Sequence, residues 1–167
     1  AKDSPGLFYK LLKVLEHAGL EVIDANIFTS IKKEFAANTF ITKYSRHDRV
    51  LKKSELVELT SKIKINFNKF DKIEISNSNM IDNSKFEKII KIDESIIKDK
   101  NRNLITIETV DSSGLLANIA KVFFDNNVSI YSARINTLGE RVEDTFEVEN
   151  FNKKLVPKYK VKKIISE

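Results

Sequence analysis

The sequence predicts an α+β fold of two βαββαβ units, each an antiparallel sheet with its helices on one face. Three observations predict it. The stretch Leu104 to Glu149 reads strand, loop, helix, strand, hairpin, strand. The same pattern occurs earlier: Asp3-Ser4-Pro5-Gly6-Leu7-Phe8 lines up with Asp111-Ser112-Ser113-Gly114-Leu115-Leu116 at an offset of 108 (111 minus 3). Each copy is then followed by a stretch with helical periodicity. A spaced repeat is a stronger signal than any single motif. The chain reads as two copies of one unit, residues 1–94 with a connector and residues 95–167.

In chain order, Leu7, Leu11, Leu12, Leu15 and Ala18 recur at helical spacing, and Gly19 ends that helix as a C-terminal cap. Leu20 to Ser30 is a strand, Lys32-Lys33-Glu34 a polar hairpin tip, and Phe35 to Thr42 the returning strand. Lys43 to Arg49 is a charged loop. Leu56, Leu59, Thr60, Ile63 and Phe67 share one face of a helix from about Lys52 to Asn68. Asp71 to Lys85 is a polar connector with a short strand at Ile73 to Ile75. Phe86 to Ile92 reads as a strand able to finish the first unit, and Asp93 to Asn103 is a charged lead-in.

Leu104 to Val110 alternates β-branched and polar residues, as a half-buried strand does. Asp111 to Gly114 is a turn with capping residues. Leu115, Leu116, Ile119, Ala120, Val122 and Phe123 make a helical face stopped at Asn126-Asn127. Val128 to Leu138 and Arg141 to Glu149 form a hairpin turned at Gly139. Val142, Asp144, Phe146 and Val148 share the apolar face of its second strand, where Asp144 is an oddity. Pro157 suits a first helical position ahead of Val161, Ile164 and Ile165. The first copy lacks the strand that precedes the turn in the second, so the chain reads as a fragment; the second lacks an evident fourth strand. The βαββαβ arrangement is ferredoxin-like. A single such sheet leaves open edges, so pairing between units, or self-association, is expected.

Composition narrows the function. An apolar content of 41% supports two modest cores. With no cysteine, disulfides and thiolate metal sites are excluded. No membrane-length apolar run or signal peptide is evident, which makes cytoplasm the default. The net charge of +5 comes from 29 basic residues interspersed with 24 acidic ones. No basic block is interleaved with aromatics, so no nucleic-acid partner is expected. His47-Asp48 spells a phosphohydrolase dipeptide, but the further histidines such a centre needs are missing, and His17 fits a helix C-terminus. There is no phosphate-binding glycine loop, nucleophile elbow or HExxH. No catalytic or metal residue is assigned.

The remaining candidate is the repeated Asp-x-x-Gly-Leu turn at a helix N-terminus, where backbone N–H groups accept a carboxylate. Asp3 or Asp111 is suited to an amino group, and Gly6 or Gly114 to close approach of a ligand. The bland alternative is that Asp caps the helix and Gly permits the turn.

These residues, with Ser132-Ala133-Arg134-Ile135 and Gly139-Glu140-Arg141-Val142-Glu143-Asp144-Thr145-Phe146, resemble ACT domains. More specifically, they resemble the tandem C-terminal ACT domains of the bifunctional PII uridylyltransferase/uridylyl-removing enzymes. That resemblance implies a glutamine-sensing regulatory region for nitrogen control. Its partners would be upstream catalytic domains, which use divalent metal, and the PII protein; the fragment itself would carry no cofactor. It also implies an amino-acid site built from Asp111, Ser112, Ser113, Gly114, Leu115 and Ser129, and a second from Asp3, Ser4, Gly6, Leu7 and Glu21. Ser113 stands where proline is common. Glu21 places a charge where a small polar group is usual, which favours the second copy's site. The alternatives are a free-standing tandem-ACT regulator acting through protein contacts and a ligand-free dimerisation module.

Overall fold

The β-branched stretches form strands and the amphipathic ones helices, in the expected order. The computed structural model describes residues 2–30, 35–44, 50–73, 89–98, 101–110, 114–138 and 141–166. The first unit contributes α1 (Leu7–His17), β1 (Leu20–Thr29), β2 (Ala36–Tyr44) and α2 (Lys53–Ile73). After it come β3 (Ile89–Ile97), β4 (Arg102–Val110), α3 (Leu115–Asp125), β5 (Val128–Leu138), β6 (Arg141–Asn150) and α4 (Lys158–Ser166).

The strands make one six-stranded sheet, ordered β2-β1-β5-β6-β4-β3, with every neighbouring pair antiparallel. The two expected sheets are therefore halves of one. They join where β1 runs beside β5, from Asp24 opposite Asn136 to Phe28 opposite Ser132. β1 and β5 are equivalent strands of the repeat, and Asn26 stands opposite Arg134, its own counterpart (134 minus 26 is 108). The join is thus an approximate two-fold axis. A β-bulge recurs at equivalent places, between Val22 and Asp24 in the first hairpin and between Ile130 and Ser132 in the second.

β3 departs from the sequence reading. It pairs with β4, from Ile89 opposite Thr109 to Ile97 opposite Arg102. The strand expected near Phe86 to Ile92 therefore flanks the second unit and not the first. It takes the fourth-strand place, for which the sequence after Glu149 offers no candidate. Ile73 belongs to α2, and the rest of the short strand expected there lies outside the described residues.

Alternation along the strands puts one residue in two into the core. Ala25, Ile27, Ile105, Ile107, Ala133, Ile135, Val142, Phe146 and Val148 face the helices in one cluster with Phe8, Leu12, Ile119 and Phe123. On α2 that cluster is reached by Phe70, Ile63 and Phe67, while Leu56 is half exposed. Asp144, the odd acid, is 1% exposed, and its Oδ1 accepts the Asn136 backbone N–H at 3.3 Å. A buried carboxylate on an apolar face is tolerable because it has a partner there.

Asn103 is likewise 1% exposed and ties the entry of α4 to the sheet. Its Oδ1 accepts the Val156 N–H at 2.8 Å, and its Nδ2 donates to Glu94 Oε1 at 3.0 Å and to the Val156 carbonyl at 3.3 Å. Asn103→Leu leaves these buried groups unpaired, and each orphaned group costs about 1–3 kcal/mol. The expected result is a lower chemical-denaturation midpoint with an unchanged denaturant slope, whereas an unchanged midpoint would show that water replaces the amide.

Candidate functional site

The glycine that closes the repeated turn has the same backbone geometry in both copies. Gly6 and Gly114 are the helix N-caps, with φ of +76° and +78°, and neither makes a side-chain cap hydrogen bond. Left-handed φ is cheap only for glycine. The helices start on a glycine conformation rather than on the acidic or hydroxyl side chain expected as a cap. In the first copy the Leu7 N–H donates to the Ser4 carbonyl at 3.1 Å, and the Lys10 N–H to the Gly6 carbonyl at 2.9 Å. In the second the Asn118 N–H donates to the Gly114 carbonyl at 3.0 Å. Asp111, Ser112 and Ser113 lie outside the described residues, as does His47-Asp48.

The β1–β5 join sets the start of α1 beside the end of α3. Between them opens a cleft of about 250 Å³, lined on one side by Asp3, Ser4, Gly6 and Leu7 and on the other by Phe124, Ser129, Tyr131 and Glu149. Ile27 and Asn38 contribute from the first hairpin. Among the residues selected from sequence, the structure thus gathers Asp3, Ser4, Gly6 and Leu7 with Ser129, from opposite copies. Glu21, Gly114 and Leu115 do not line this cleft. Grouping the first turn with the strand of its own copy is not the grouping the fold makes, because the two-fold join carries that turn to the other copy's helix end and sets Gly114 beside the end of α1. The glycine neighbours show it: a Cβ on Gly6 would lie 2.6 Å from the Phe124 ring, and one on Gly114 would lie 3.8 Å from Glu16 Oε1. Phe124 and Glu16 are themselves counterparts (124 minus 16 is 108).

Sequence reasoning missed Phe124, Tyr131, Glu149, Asn38 and, behind them, Arg102. Tyr131 sits at the bulge in β5, and bulges re-aim side chains. The Arg102 guanidinium carbon lies 3.3 Å from the centre of the Tyr131 ring. Arg102 Nη1 donates to Glu147 Oε1 at 2.7 Å and Nε to Glu149 Oε2 at 3.1 Å. Burial pulls the Arg102 pKa down, but the hydrogen bonds and charges of the two glutamates outweigh it, and the guanidinium is held above its ordinary value. The signal for this cluster was an arginine aligned across the sheet with two glutamates at i and i+2, which requires the strand pairing to be known. His17 Nδ1 is 2.9 Å from the Lys13 carbonyl within its own helix. Among the described residues no group of three His, Cys, Asp or Glu is placed to hold a metal ion, and no helix is long and apolar enough to cross a membrane.

The fold and cleft define a class: two ferredoxin-like units sharing one antiparallel sheet, with a cavity of amino-acid size where the turn of one meets the strand of the other. Sequence similarity leads to particular relatives. The chain is 27% identical over 165 residues, 98% of its length, to the bifunctional uridylyltransferase/uridylyl-removing enzyme of Psychrobacter sp. (strain PRwf-1). It is 30% identical over 154 residues, 87% of its length, to the enzyme of that name from Vibrio parahaemolyticus. It is also 30% identical over 167 residues, 88% of its length, to the one from Acinetobacter baumannii (strain ATCC 17978). No protein-family model and no solved structure matches it. The chain spans 18%, 16% and 17% of the length of these three relatives. It is a homologue, along most of its own length, of one segment of the bifunctional uridylyltransferase/uridylyl-removing enzymes.

Proposed function

We propose that this chain is the amino-acid-sensing, tandem-ACT regulatory region of a uridylyltransferase/uridylyl-removing enzyme that acts on PII, and that its ligand is L-glutamine. The observation that carries the reading is the cleft joining the Asp3-to-Leu7 turn of one unit to Ser129 of the other. The α1 N-terminus supplies a partial positive charge for the ligand's carboxylate. Asp3 supplies a negative one for its ammonium, and the Ser129 hydroxyl a further polar contact. A ligand held this way touches both units at once, so binding favours one arrangement of the pair. That differential is what a regulatory site needs in order to bias attached domains. In the resembled family glutamine favours removal of uridylyl groups from PII and opposes their addition.

This reading favours the first turn. Beside Gly114, the glycine of the second copy, stands the Glu16 carboxylate. A carboxylate there opposes a carboxylate ligand, whereas the first turn meets Phe124, Ser129 and a Glu149 whose charge is paired with Arg102. The test is calorimetric titration with glutamine, glutamate, glycine and serine, with thermal unfolding in parallel. At a hundredfold excess over Kd, glutamine stabilises by about 2.7 kcal/mol, a melting shift of roughly 5–10 °C for a chain this size. Preference for glycine or serine would assign the chain to a different tandem-ACT regulator. Binding by none of the four would leave only the dimerisation module.

A further inference from the structure

Resting on that reading, we propose that Asn38 of β2 determines which amino acid the cleft accepts, its Oδ1 taking an N–H from the ligand's side-chain carboxamide. Asn38 stands opposite Ile27 in the first hairpin, and both line the cleft. Its Oδ1 is buried and has no hydrogen-bond partner among the described residues. Buried acceptors are almost always paired, and an unpaired one lowers stability. An unpaired acceptor on a residue that lines a ligand-sized cavity is explained if a ligand reaches and completes it.

The second copy supplies an internal control. The counterpart of Asn38 is Asp144 (144 minus 38 is 106, the offset at which Asn38-Thr39-Phe40 meets Asp144-Thr145-Phe146). There the acceptor is satisfied within the protein by the Asn136 N–H at 3.3 Å. The same position thus closes on its own backbone in one copy and is left unpaired, on a residue that lines the cleft, in the other. An acceptor requires a ligand that brings N–H. With the turn and Asp3 engaging the α-carboxylate and α-ammonium, the N–H left for the hairpin wall is that of a side-chain carboxamide. A side-chain carboxylate presents only acceptors and has no proton to give Oδ1.

The experiment titrates L-glutamine and L-glutamate into the full chain, into Asn38→Leu and into Asn38→Asp, and melts each protein without ligand. Losing one neutral hydrogen bond should weaken glutamine about tenfold in Asn38→Leu and narrow its preference over glutamate. The unliganded melting temperature should stay level or rise, because an unsatisfied buried acceptor has gone; a residue with only a structural role would lower it. Asn38→Asp, which keeps the acceptor, should hold glutamine more tightly than Asn38→Leu does. Parent-like glutamine affinity in Asn38→Leu, or weaker binding by Asn38→Asp than by Asn38→Leu, overturns the assignment while leaving the glutamine site standing. Absence of glutamine binding by the parent chain overturns both.

Discussion

Arg102→Met is expected to lower the free energy of unfolding by about 3–5 kcal/mol at neutral pH, the usual penalty for removing one partner of a buried ion pair. Side-chain exposure is 13% for Arg102, 10% for Glu147 and 8% for Glu149, so both carboxylates depend on the guanidinium rather than on water. The fork geometry matters as well. Nη1 and Nε serve different glutamates while the guanidinium face lies against Tyr131. A lysine offers a point charge and no plane, so Arg102→Lys should recover only part of the loss. Removing the charges together is the informative control: Arg102→Met with Glu147→Gln and Glu149→Gln should be more stable than Arg102→Met alone, because no buried charge is then unpaired. Urea denaturation at neutral pH measures all of this. A loss under about 1 kcal/mol, the range of exposed ion pairs, would show that the glutamates reach solvent after all.

Much of the fold was legible because its information is local and repeated. β5 runs from Val128 to Leu138 as its pattern predicts, and α3 stops at Asn126-Asn127, where the polar pair ends the apolar face. The repeat revealed the two units before any contact was known. What was not legible depends on which strands become neighbours. The alternation of β6 marks Glu143, Thr145 and Glu147 as one polar face, yet Glu147 is 8% exposed, because Arg102 of β4 covers it. Nothing in the spacing of residues 141 to 149 distinguishes it from Glu143, which is exposed. β3 was read as a strand but assigned to the first unit, whose βαββαβ pattern it could finish, although the shorter connection leads to β4. Its partner is β4, reached through the turn around Asn101 at φ 54°. The turn residues of the candidate site were legible one by one, and the cross-copy grouping was not. The β1–β5 join that creates it is a long-range pairing of equivalent strands.

Gly6→Val is expected to cost about 3 kcal/mol or more in stability and to abolish the glutamine binding proposed above, while Gly114→Val shows only part of the stability loss. Both glycines sit at left-handed φ, +76° and +78°, so each substitution carries the backbone penalty, about 1–2 kcal/mol and worse for a β-branched residue. The two differ in the space available. At Gly114 the nearest atom to an added Cβ is Glu16 Oε1 at 3.8 Å, ordinary contact distance. At Gly6 two atoms of the Phe124 ring stand 2.6 Å away, and that ring also contacts Tyr9 and Phe151, with centroids at 6.1 and 6.0 Å. Moving it disturbs an aromatic cluster on the wall of the cleft, adding the 1–3 kcal/mol typical of overpacking. A double-mutant cycle separates the two contributions. Phe124→Ala removes the ring, so Gly6→Ala made in that background should cost less than in the parent, by about 1 kcal/mol or more of coupling. The same cycle between Gly114→Ala and Glu16→Ala should give coupling near zero. Equal costs for the two glycine substitutions, with no coupling to Phe124, would mean that the turn and the α3 end do not meet as described. The cleft between the units would then lose its support.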